Sequence, residues 1–115
     1  MNEGLKVISD FLSMSKINLI HFRFENTVNA ENVPIANIIM HFGSFPHYDG
    51  DELLEVCFTN CTNISVSDEL FNSVKRPSIM LYDVSDKEKK TTVCRVEEAA
   101  ELFSFWCEEV TYMKI

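Results

Sequence analysis

Two hydrophobic rhythms alternate along the chain. Residues 3–13 set Leu5, Ile8, Phe11 and Leu12 near the helical period, with Lys6, Ser9, Asp10 and Ser13 opposite, which predicts a short amphipathic helix opened by Asn2. Residues 17–25 switch to a period of two. Ile17, Leu19, His21, Arg23 and Glu25 share one face, Asn18, Ile20, Phe22 and Phe24 the other, and a strand is expected with Phe22 and Phe24 turned inward. The polar stretch from Asn26 to Asn32 reads as a loop. Pro34 suits a first helical turn, and Ile35, Ile38, Ile39 and Phe42 follow at i, i+3, i+4 and i+7, with Gly43 where a helix cap belongs. A helix is therefore expected there, although the β-branched run fits a strand as well.

The second half continues the mixture. A strand is predicted from Leu53 to Phe58, with Leu54, Val56 and Phe58 on one face. Ser67 can cap a single helical turn reaching Val74, with Asp68 and Glu69 in its first turn. Pro77 opens a strand from Ser78 to Val84, an exposed turn occupies residues 83–90, and Thr91 to Val96 returns as the second strand of a hairpin. Residues 97–109 read as a helix with Ala99, Leu102, Phe103, Trp106 and Val110 as its apolar stripe, and Val110 to Ile115 as a terminal strand. This order predicts a single α+β domain spanning residues 1–115, a mainly antiparallel sheet with two or three helices packed on it.

Length and composition sharpen the picture. A chain of 115 residues, 46% of them hydrophobic and with nine Phe, can bury one core without staples. Its longest nearly apolar runs are far shorter than the ~20 residues of a membrane-spanning helix. Ten Lys and Arg face 18 Asp and Glu, for a net charge of −8, distributed as 3 basic against 5 acidic groups in residues 1–50 and 7 against 13 in residues 51–115. A field of that sign repels phosphate backbones and anionic membranes and draws in basic proteins. Residues 1–14 lack a basic start, an apolar run and a small-residue cleavage site, so a cytoplasmic chain is expected, with Cys57, Cys61, Cys94 and Cys107 as reduced thiols and the sequons at Asn60 and Asn63 unused.

Candidate chemistry is sparse. Cys57 and Cys61, with His41 or His47 nearby, lack the matched second pair of a zinc site, because Cys94 and Cys107 stand 13 apart with no neighbouring His. Three isolated glycines cannot cradle a phosphate, and no signature of a nucleophile surrounds any Ser or Cys. No enzyme, metal or cofactor is expected. Two acidic features remain. Asp49, Asp51, Glu52 and Glu55 put four negative charges in seven residues with no base among them, beside Tyr48. On the predicted helix, Glu97, Glu101 and Glu108 share the polar face, flanked by Glu98 and Glu109, with no Lys or Arg at i+4. Each feature reads first as a solvated surface and second as a contact for a cationic partner.

The stretch from His41 to Leu54, HFGSFPHYDGDELL, resembles a motif of small bacterial immunity proteins encoded beside polymorphic or contact-dependent growth-inhibition toxins. Gly43, Phe45-Pro46, Tyr48, Glu52 and Leu53-Leu54 match, while the group's His-Asp positions fall on Asp49 and Gly50. The resemblance implies stoichiometric binding of a cognate toxin domain, commonly a nuclease with a basic substrate surface. The contact residues would then be Asp49, Asp51, Glu52 and Glu55 with Tyr48 as anchor, or Glu97, Glu101, Glu108 and Glu109. Two other readings stand beside it: a phage-type acidic mimic of nucleic acid, and a small ligand-binding domain or enzyme with an aromatic pocket from Phe22, Phe24, Phe45 and Trp106.

Overall fold

The computed structural model describes residues 3–13, 17–44, 48–71, 78–83 and 94–115. Helix α1 (Glu3–Leu12) buries Leu5, Ile8 and Phe11, as the periodicity predicts. Eight strands follow among the described residues: β1 (Asn18–Val28), β2 (Pro34–Gly43), β3 (Leu53–Thr59), β4 (Thr62–Val66), β5 (Ile79–Asp83), β6 (Cys94–Glu98), β7 (Phe103–Cys107) and β8 (Glu109–Lys114). They form two four-stranded antiparallel sheets, ordered β1-β2-β3-β8 and β4-β7-β6-β5. A 3-10 turn (Asp68–Phe71) follows β4, with the Glu69 N–H donating to Ser67 Oγ at 3.2 Å, so Ser67 caps it as expected. Among the described residues, no helix is long and apolar enough to cross a membrane. The predicted cap at Asn2, the end of the turn at Val74, the strand start at Pro77 and the exposed turn over residues 84–90 lie outside the described residues.

The two sheets share one bent ribbon. The β3 chain turns through Asn60 and Cys61 into β4, while β7 passes through Glu108 into β8, and each pairs with the other on both sides of the bend. Asn60 and Asn63 adopt positive φ there, a conformation Asn tolerates better than most residues. The half-buried Asn60 and the buried Asn37 (6% exposed) fasten the corner: Asn37 Oδ1 accepts the Asn60 N–H at 3.0 Å, and Asn37 Nδ2 donates to Thr27 Oγ1 at 2.9 Å. Between the sheets lies one core built on Ile38, Met40, Phe42, Leu54, Val56, Phe58, Val96, Phe103 and Phe105, with α1 closing against β5 and β8.

Two predicted helices are strands. Residues 34–42 belong to β2, which sits between β1 and β3; its residues 37–40 are buried in succession, so the strand carries apolar groups on both faces and loses alternation. A short apolar run of that kind satisfies helical and extended spacing alike, and its isoleucines favour the extended form. Gly43 is no helix cap. It ends β2 where an added Cβ would lie 3.0 Å from the Glu52 carbonyl oxygen and 3.1 Å from Ile20 and Leu53 side-chain atoms. The helix over 97–109 is likewise absent. Glu98 to Leu102 forms a hairpin turn, and β7 then alternates, with Phe103, Phe105 and Cys107 buried and Ser104 and Trp106 facing out. The loop expected over 26–32 is shorter too, because Asn26 to Val28 extend β1. Among the described residues the architecture is two antiparallel sheets with one α-helix, not a sheet carrying two or three helices.

Candidate functional site

The first acidic feature forms a turn between β2 and β3. Asp51 N–H donates to the Tyr48 carbonyl oxygen at 3.0 Å, and Gly50 supplies the positive φ (93°) that the turn requires. The Asp51 carboxylate folds back, accepting the Tyr48 N–H at 2.9 Å and the Ser44 hydroxyl at 3.0 Å. Asp51 therefore braces the loop from within. Glu55 faces outward from β3 directly opposite His41, whose Nε2 lies 2.8 Å from its carboxylate. A carboxylate at that distance accepts the imidazole N–H. What remains exposed is Tyr48 (66%), Asp49 and Glu52, three side chains on one braced turn. The matching residues Phe45 and Pro46, and with them His47, lie outside the described residues.

The second acidic feature is dispersed. Glu97, on the outer face of β6, has its carboxylate 3.3 Å from Arg95 Nε, and the Arg95 guanidinium stacks 5.1 Å from the Trp106 ring centroid. Glu101 is exposed in the β6–β7 turn with φ 63°. Glu108, at the sheet corner, accepts a hydrogen bond from Asn60 Nδ2, and Glu109 is exposed at the start of β8 opposite Thr59. Five residues of β7 separate the Glu101 end from the Glu108 end, roughly 17 Å of strand. The common polar face expected of a helix does not exist. An open groove of about 450 Å³ runs beside Ser65, Met80, Arg95, Glu97, Glu101 and Ser104, collecting only the first half of the group.

One buried acid was not singled out by the sequence. Glu98, only 6% exposed, accepts backbone N–H groups from Ser78 (2.9 Å), Ala100 (2.6 Å) and Leu102 (3.3 Å), tying β5 to the β6–β7 turn. Nothing in the run Glu97-Glu98-Ala99-Ala100-Glu101 separates it from its neighbours until β6 is known to be a strand whose alternate residues point inward.

No family model, curated protein or solved structure matches this chain.

The remaining candidates resolve by geometry. Phe22 packs on Phe24 (centroids 5.5 Å apart) and on Phe103 (5.7 Å) between the sheets, whereas Trp106 faces out from β7 under Arg95, so these rings line no common pocket. Phe45 lies outside the described residues. Cys61 is buried with its thiol 3.2 Å from the Phe58 carbonyl oxygen, and burial pushes its pKa up to about 12. Cys94 and Cys107 face each other across β6 and β7; a hydrogen bond that the Cys107 thiol donates to Cys94, and then burial, push the Cys107 pKa up as well. Protonated, buried thiols are poor nucleophiles and poor ligands. Among the described residues, no three His, Cys, Asp or Glu converge on one metal position. On the outer face of the first sheet, His21 stands beside His41 with ring centroids 5.2 Å apart, and desolvation, then His41, then Arg23, hold its pKa below the ordinary value.

Proposed function

We propose that this protein is a non-enzymatic, cytoplasmic immunity protein. It binds a basic bacterial toxin domain, of the nuclease kind, through the turn between β2 and β3. The observation that carries the reading is the exposed Tyr48 flanked by exposed Asp49 and Glu52 on a loop that Asp51 braces from within. A rigid aromatic held in its bound position loses little entropy on docking, and amphipathic Tyr is enriched among the anchors of interfaces. The net charge of −8 steers a cationic surface toward it, and covering that surface excludes the nucleic acid without any chemistry. The Glu97 to Glu109 set supports the reading less well, because Glu97 and Glu108 already hold Arg95 and Asn60.

The test is capture of partners from the native cells on the intact protein at low and high salt, followed by association kinetics with the captured protein. A single basic partner that binds less at high salt is expected. Asp49→Asn with Glu52→Gln should slow association about 3- to 10-fold, and Tyr48→Ala should speed dissociation by roughly 30-fold. Capture of no basic protein, or a complex indifferent to all three changes, would remove the proposal.

A further inference from the structure

Among the described residues the sheets leave four edge strands, β1 and β8 in one and β4 and β5 in the other. Three of these are protected in ways that proteins use to prevent edge pairing. Strand β8 has α1 packed beside it, β5 is five residues long and also meets α1, and β4 is short and irregular, with a register shift between Thr62 and Ser65 and Asn63 at positive φ. Strand β1 differs. After its bulge between Leu19 and His21, the eight residues His21 to Val28 run in unbroken register with β2, and β2 is their only strand neighbour among the described residues. That stretch contains no Pro and no Lys, and its exposed apolar groups include Phe24 (49%) and Val28 (58%).

We infer that β1 is a self-pairing edge, on which a second copy of this chain docks antiparallel about a two-fold axis at Phe24. The sequence around that axis, His21-Phe22-Arg23-Phe24-Glu25-Asn26-Thr27, is complementary to its own reverse. Phe24 meets Phe24 of the second copy on the inner face. On the outer face, Arg23 of each copy stands opposite Glu25 of the other, and Phe22 faces Asn26 on the inner side. Arg23 and Glu25 already share that face, 3.7 Å apart, with each side chain about half exposed, so both can turn to a cross-strand partner. Such opposite-charge and aromatic cross-strand pairs are the stabilising units of a sheet. Strand β1 carries one Arg and one Glu, so it is locally neutral in a protein of net charge −8. Screening beyond about 8 Å at physiological ionic strength leaves the local pairs to decide. Closed two-fold pairing joins two four-stranded sheets into one of eight strands and removes both exposed edges.

This surface is distinct from the Tyr48 turn, and its test needs no other protein. Light scattering of the intact chain across a concentration series from micromolar to millimolar should show the mass rising from 13.3 kDa toward twice that value. Arg23→Glu alone sets Glu opposite Glu at two places and should weaken the dimer about tenfold or more; Glu25→Arg alone should do the same with Arg. The double variant Arg23→Glu/Glu25→Arg restores complementarity and should recover the dimer. Amide exchange gives a second measurement, since protection of His21 to Val28 should grow with concentration. A mass of 13.3 kDa throughout the series overturns the inference, as does a dimer that ignores the single charge reversals or leaves the β1 amides unprotected.

Discussion

Asn29 and Glu98 perform the same task at two hairpins. Asn29 Oδ1 accepts the N–H groups of Glu31 (2.9 Å) and Val33 (3.0 Å), and Glu98 Oε1 accepts those of Ala100 and Leu102, so each side chain takes the amides two and four residues ahead. Each turn closes with an N–H to carbonyl bond three residues apart, Asn32 to Asn29 and Glu101 to Glu98, and each closing donor adopts positive φ. The register leaves three residues, 30–32, in the loop of the first hairpin and four, 99–102, in the second, and each loop carries one left-handed residue at its third position. Asn32 suits that position; Glu101 does not, since a side chain with a full Cβ costs about 1–2 kcal/mol there. Glu101→Gly should therefore raise the unfolding free energy by about 0.5–1 kcal/mol after the greater entropy of glycine in the unfolded chain is deducted. Denaturant unfolding measures this directly, and a loss of stability would contradict the turn assignment.

At the level of elements, legibility tracked whether a segment is covered on one face or on two. Helix α1 and strand β3 each bury one face, and their periods were plain: Leu5, Ile8 and Phe11 in one, Leu54, Val56 and Phe58 in the other. Strand β2 buries both faces, so Ile35, Ile38, Ile39 and Phe42 mimicked a helix. In 97–109 the error came from the turn. No Gly or Pro marks Glu98 to Leu102, and Ala99 and Leu102 extended an apparent stripe across it. That error carried the second acidic site with it, whereas the Tyr48 turn was legible because Gly50 and its acidic neighbours signal a turn locally. The corner was invisible for another reason: Asn37 and Asn60 stand 23 residues apart and meet only when β2 and β3 pair. Asn37→Val keeps the strand propensity but leaves the Asn60 N–H without its acceptor, and should cost about 1–3 kcal/mol. Thermal or denaturant unfolding checks it, and a neutral result would mean that the corner does not depend on this amide.

For the whole molecule, charge is the variable with the widest reach. Eighteen acidic groups face ten basic ones. The ion pairs seen among the described residues, Arg23–Glu25, His41–Glu55 and Arg95–Glu97, are all partly exposed. Exposed pairs contribute little, about 0–1 kcal/mol each, so salt should remove less attraction than self-repulsion. The melting temperature at pH 7 is therefore expected to rise between low and moderate sodium chloride, and a fall would show that local pairs outweigh the net field.

The ribbon shared by the sheets also sets an order of events in time. Residues 3–66 supply three strands of one sheet and lend β4 to the other; residues 79–114 supply three strands of the second and return β8 to the first. Neither half owns a complete sheet, so a cut between β4 and β5 yields two pieces that need each other. During synthesis the first sheet stays one strand short until Glu109–Lys114 emerges, which leaves β3 open along one side while residues 60–108 are being made. The nascent protein must protect that side until β8 arrives.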